Sequence, residues 1–160
     1  MKNTLNYGVL AAVIFVIAVY LGFEKTEKPT SHQKDQNAFI QNNENSSAVR
    51  GLERIRKAYE RQERDVPVQA QGMVKAVLRD DNDGSRHQKF ILKLDNGLSV
   101  LVAHNIDLAP KITNLQKGDL VEFKGDYEYN DKGGVIHWTH HDPHSKHQDG
   151  WLKMDGKIYQ

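Results

Sequence analysis

The stretch Ser85-Arg86-His87-Gln88-Lys89-Phe90-Ile91-Leu92-Lys93-Leu94-Asp95-Asn96-Gly97-Leu98-Ser99-Val100-Leu101-Val102-Ala103 decides the fold. Phe90, Leu92 and Leu94 recur at every second position, which puts them on one face of a strand. Asp95-Asn96-Gly97 then supplies the residues that tolerate the left-handed backbone of a tight hairpin turn. Leu98–Ala103 returns as a second, more apolar strand.

The same period of two extends outward in both directions. Gln69 to Arg79 alternates around Gly72, Val74, Ala76 and Leu78, and Asp80-Asp81-Asn82-Asp83-Gly84 forms a turn cluster. Beyond the hairpin, the segment Asn105 to Gln116 holds Pro110 and joins the third strand to a fourth, in which Val121, Phe123 and Tyr127 face inward. Asn130–Gly134 is another turn, and Val135–Thr139 a fifth strand, with Ile136 and Trp138 toward the core and His137 and Thr139 outside. Five strands with a crossover between the third and fourth predict a small Greek-key barrel of the oligomer-binding (OB) type. The run Gly118-Asp119-x-Val121-x-Phe123-x-Gly125 is similar to the fourth strand of many such barrels. The tail Gly150–Tyr159 is expected to pack back on the barrel, turning at Asp155-Gly156. The barrel domain is placed at residues 66–160.

Ahead of it, Ala48, Leu52, Ile55 and Tyr59 fall at helical spacing. They predict an amphipathic helix over residues 47–65, capped by Ser47 and ended by Pro67. Its other face, with Arg50, Arg54, Lys57, Glu60, Arg61 and Arg64, suits either a solvated surface or anionic headgroups. Residues 24–46 are polar and read as a flexible spacer. Residues 1–23 contain the uncharged run Tyr7–Phe23 and lack a pair of small residues suited to signal cleavage. They read as a transmembrane anchor, placing the chain in a bacterial inner membrane as a single-pass protein with its soluble domain in the periplasm.

Composition removes several classes. With no cysteine there is no disulfide scaffold, thiolate metal site or cysteine nucleophile. The formal charge of the whole chain is +1. Residues 66–160 alone carry 12 Lys+Arg against 13 Asp+Glu, a balance that disfavours polyanion binding at neutral pH.

Chemistry concentrates in the histidines. Of 8, all but His32 lie between His87 and His147. In the predicted barrel, the first turn and the ends of the third and fifth strands share one rim. That rim gathers Asp80, Asp81, Asp83, Arg86, His87, His104, Asn105, Asp107, His140, His141 and Asp142. Three functional readings follow. His137, His140, His141, Asp142 and His144 offer imidazole and carboxylate ligands for a divalent transition metal such as zinc. Arg86, His87, His104, Asn105, Asp107 and Trp138 form a binding surface for an anionic small molecule or nucleic acid. Two of His87, His104 and His140 as base and acid, with Arg86 on the phosphoryl oxygens, would make a phosphodiesterase or nuclease. A fourth reading is structural, with Arg86 paired to Asp107 or Asp142, and His104 and His140 bonded to backbone. The leading expectation is a binding module.

The blocks Gly84-Ser85-Arg86-His87-Gln88, Ala103–Pro110, Gly133–Pro143 and Gly150-Trp151 resemble the signature blocks of a bacterial family known as a domain of unknown function. The resemblance covers residues 69–160. It implies a small envelope protein with an OB-like barrel, and it brings no established activity, substrate or catalytic residue.

Overall fold

The computed structural model describes residues 31–160, with side chains from residue 46 onward. The anchor expected at residues 1–23 therefore lies outside the described residues, as does the first part of the spacer. Among the described residues no helix is long and apolar enough to cross a membrane.

One helix, α1 (Ser31–Arg61), precedes seven strands: β1 (Val66–Val77), β2 (His87–Lys93), β3 (Ser99–Asn105), β4 (Leu120–Glu128), β5 (Val135–His137), β6 (Trp151–Met154) and β7 (Lys157–Tyr159). The helix starts at Ser31 rather than at Ser47, so Ser47 lies inside it and caps nothing, and residues 31–46 of the expected spacer are helical. Between Ser31 and Arg50 the sequence has neither glycine nor proline. Adding turns to a helix already formed is far cheaper than starting one. The helix also stops at Arg61, short of the expected residue 65, because Gln62 turns to a φ of 57° and Asp65 to 52°. Residues Phe39–Gln160 form one compact unit.

The mainly β body is a closed five-stranded barrel. β1 pairs antiparallel with β2 and with β4, β2 with β3, and β4 with β5, while β3 and β5 run parallel. The ring is thus β1-β2-β3-β5-β4 and back to β1. β6 joins β4 beside the point where β5 leaves it, and β7 pairs with β6 through the Asp155-Gly156 turn. The interior is Val68, Ala70, Val74, Phe90, Leu92, Val100, Val102, Val121, Phe123, Tyr127, Ile136 and Leu152, all at most 5 % exposed. These include the alternating residues of the deciding hairpin. At β1 the alternation fails early. A bulge between Val74 and Ala76 shifts the register, and Leu78 emerges to 38 % exposure.

The apolar stripe of α1 covers one part of this core, with Ile55 and Ala58 fully buried. Asn96 of the hairpin turn donates to the Leu52 carbonyl at 2.8 Å, and the Glu63 carbonyl accepts from Tyr129 N–H at 3.1 Å. Gly51 makes this seating possible. A Cβ there would collide with the Gln69 carbonyl oxygen of β1. The crossover between β3 and β4 packs inward too, with Ala109 and Ile112 buried. The Gln88 side chain holds it by donating to the Ile112 carbonyl and accepting from the Ile112 N–H, both at 2.9 Å.

Candidate functional site

Pairing of β2 with β3 brings His87 opposite Asn105 and Gln88 opposite His104. The first turn folds onto the same rim through the Asp81–His87 bridge. Asp107 accepts from the Arg86 backbone N–H and from Arg86 Nε, each at 2.7 Å. Those N–H donors, the backbone one first, hold the Asp107 carboxyl below its usual range. His87 Nδ1 donates to the Ser85 carbonyl at 2.7 Å. Lys89 pairs with Asp81, and Lys111 with Asp80. Arg86, His87, Asn105 and Asp107 therefore share one rim, where Arg86 is already paired with Asp107, while His104 lies on the buried face of the sheet with Gln88.

His104 is fully buried, and its partners fix its tautomer. The Pro110 carbonyl can only accept, so Nε2 carries the proton and donates to it at 3.1 Å. Nδ1 then accepts from the Thr139 hydroxyl at 2.9 Å. Burial pushes the ring down to about 4, and the charges of His140 and His87 act in the same direction. A neutral imidazole with both nitrogens engaged has no lone pair left for a metal or a substrate proton.

Beyond β5 the chain departs from the expected alternation. β5 ends at His137, and Trp138 takes a φ of 54°. That left-handed residue reverses the phase. Thr139 is fully buried instead of facing out, and Trp138 lies part-exposed between the rings of His140 and His147, at centroid distances of 5.1 and 4.3 Å. Trp138 Nε1 is shut from solvent and has no hydrogen-bond partner. Two glycines allow the segment to lie this close to the barrel. A Cβ on Gly125 would strike the His137 carbonyl oxygen, and one on Gly150 the Trp138 carbonyl oxygen.

The loop that follows is wound around Asp142. Its carboxylate accepts the backbone N–H groups of His144, Lys146 and His147 at 2.6–3.0 Å, which hold it at about 2. His140 Nδ1 donates to the His141 carbonyl at 2.8 Å. His141 Nδ1 meets Asp149 at 2.8 Å, and His147 Nε2 meets the buried Asp126 at 2.7 Å. The contiguous set His137, His140, His141, Asp142 and His144 thus points to different partners. Of these five, only His137 joins another ligand-type cluster among the described residues. Its ring, Asp65 and Glu128 place one ligand atom each within 4.8 Å of one another.

Two anchoring pairs of this loop border a cleft of about 320 Å³. It is lined by Arg50 and Arg54 of α1, by Lys124 and Asp126 of β4, and by Gln148 and Asp149. Arg50 donates to the Ser46 hydroxyl at 3.3 Å. Arg54 and Lys124 make no side-chain ion pair among the described residues. The basic residues of α1 read as a solvated or membrane-facing surface therefore contribute to a concave site. Nothing in local periodicity marks this, because it follows from the close approach of α1 to β1 at Gly51.

Taken together, these features define a small closed β-barrel domain covered by an N-terminal helix and a His/Asp-rich loop. The chain belongs to the family described as a protein of unknown function, DUF3465, whose profile matches residues 38–160. The match takes in most of α1 as well as the barrel and begins one residue before the compact unit does. No curated protein and no solved structure gives a significant match.

Proposed function

We propose that the chain is a non-catalytic binding module, an OB-type barrel whose cleft takes a small anionic ligand. The strand order and the parallel β3–β5 pair support the barrel type. The observation that carries the ligand class is the cleft itself, in which Arg54 and Lys124 make no ion pair among the described residues while Asp126 and Asp149 are each met by a histidine. A volume of about 320 Å³ is at the small end for ligand sites, which favours a compact phosphate or carboxylate over a polymer. The rim at Arg86 and His87 is a weaker binding candidate, since Asp107 already takes the Arg86 Nε. The phosphodiesterase reading draws no support from His104, whose nitrogens serve Thr139 and Pro110. In this reading the apolar run at residues 7–23 tethers the domain to the outer face of the bacterial inner membrane.

The test is calorimetric titration of the purified full chain with inorganic pyrophosphate and with citrate. At least one should bind saturably. Arg54→Ala and Lys124→Ala should each weaken it about tenfold or more, the worth of one charge-assisted hydrogen bond. Unchanged affinity in both variants refutes the cleft. Absence of saturable binding by either probe at about 100-fold above typical micromolar metabolite affinity refutes the anionic class.

A further inference from the structure

We infer that Asp65, Glu128 and His137 form a binding site for a divalent transition-metal ion of the zinc type. The three residues are far apart in the sequence and meet through the sheet. Val66 pairs with Tyr127, which sets Asp65 at the start of β1 beside Glu128 at the end of β4. Asp126 pairs with His137, which brings the end of β5 to the same corner.

The distances discriminate between a hydrogen bond and a ligand pair. His137 Nε2 lies 3.7 Å from Glu128 Oε1, too far for a hydrogen bond. The ring is part-exposed, yet Nε2 itself is shut from solvent and has no hydrogen-bond partner. A buried nitrogen beside the Glu128 carboxylate is unsatisfied in either neutral tautomer. As a lone pair it faces negative charge, and as an N–H it finds no acceptor within reach. Zinc bonds to imidazole nitrogen and carboxylate oxygen are each about 2.1 Å, so ligand atoms around a tetrahedral ion lie about 3.4 Å apart. The observed 3.7 Å is close to that edge, and all three ligand atoms fall within 4.8 Å. A cation seated among them would engage the orphan nitrogen and offset the two carboxylates together.

The donor set narrows the ion. One imidazole with two carboxylates suits zinc and its neighbours, whereas magnesium and calcium take oxygen alone. Three protein ligands leave a fourth position for water or a ligand. Arg64 approaches Glu128 Oε2 at 3.9 Å and competes for it, but its side chain is 71 % exposed and free to swing into solvent.

The test strips the purified full chain with EDTA and titrates it with zinc by calorimetry, and with cobalt(II) by visible absorption. The chain has other histidines able to hold zinc, so a His141→Ala/His144→Ala variant serves as the control. We expect one equivalent of zinc to bind in parent and control alike. His137→Gln and Glu128→Gln should each weaken that binding on the order of 100-fold, the upper end of the cost of losing even an outer partner of a metal ligand. Arg64→Ala should tighten it. Circular dichroism confirms that the variants fold, and Asp65→Asn replaces any that does not. Zinc affinity unchanged by His137→Gln, or lost in the control, overturns the site. So does a parent chain that binds no zinc.

Discussion

Acidification should destabilise the barrel through His104 as pH falls from about 6.5 toward 4. The ring is held neutral at about 4, whereas an unfolded chain takes up the proton near 6.5. Above pH 6.5 both states are neutral and His104 contributes no pH dependence. As pH falls toward 4 the unfolded state is protonated and the folded state is not, so stability is lost across that interval. The shift corresponds to about 3 kcal/mol in full, and to about 2.5 kcal/mol by pH 4.5. Asp142, held at about 2 against an ordinary 3.8, contributes stability that is present above pH 3.8 and lost only below it. The two groups therefore separate. The perturbation is His104→Gln, whose amide can still donate to Pro110. Urea denaturation of parent and variant at pH 7.5, 5.5 and 4.5 gives the slopes. The variant should be less stable at pH 7.5 and lose about 2.5 kcal/mol less than the parent on going to pH 4.5. Parallel curves would refute the neutral, desolvated imidazole.

Gly150→Ala should destabilise by about 3 kcal/mol or unfold the chain, because the new methyl would overlap the Trp138 carbonyl oxygen; thermal unfolding checks it. Arg86→Ala should cost less than about 1 kcal/mol despite its 2.7 Å contact, since the Arg86 and Asp107 side chains are 57 % and 38 % exposed, and a larger loss in urea would mean the rim is braced by that pair. Asp142→Ala strips three backbone N–H groups of their acceptor and should cost about 1–3 kcal/mol, with limited proteolysis first cutting between His144 and Gln148.

Much of the barrel could be read before any coordinates. Phe90, Leu92 and Leu94 recur at every second position, and Asp95-Asn96-Gly97 forces the chain back, so register and facing were already specified at the hairpin. The rim was legible for the same reason. Once β2 pairs with β3, His87 stands opposite Asn105, whereas the same alternation turns His104 inward beside Gln88. What escaped reading depends on single backbone angles or on distant register. The left-handed turn at Trp138 inverted the facing of Thr139, and tryptophan carries no signal for that conformation. The longer start of α1 escaped because its polar residues are helix-permissive without being amphipathic. Asp65 and Glu128 gave no local sign of belonging with His137, because their meeting depends on which residue of β1 pairs with which of β4. The cleft stayed hidden because Gly51 reads as a helix weakener until the strand beneath it is seen.

The outermost strand of the sheet has a bearing on behaviour in concentrated solution. Among the described residues the sheet runs outward beyond the closed ring only through β6 to β7, and β7 spans just Lys157–Tyr159. An unpaired strand margin invites a second copy to add on, and proteins blunt it by keeping it short and charged. Here three residues beginning with a lysine offer a poor template, so the domain is protected from fibrillar self-association by the brevity of its last hairpin arm. A fusion partner that prolonged that arm with valines or isoleucines would remove the protection.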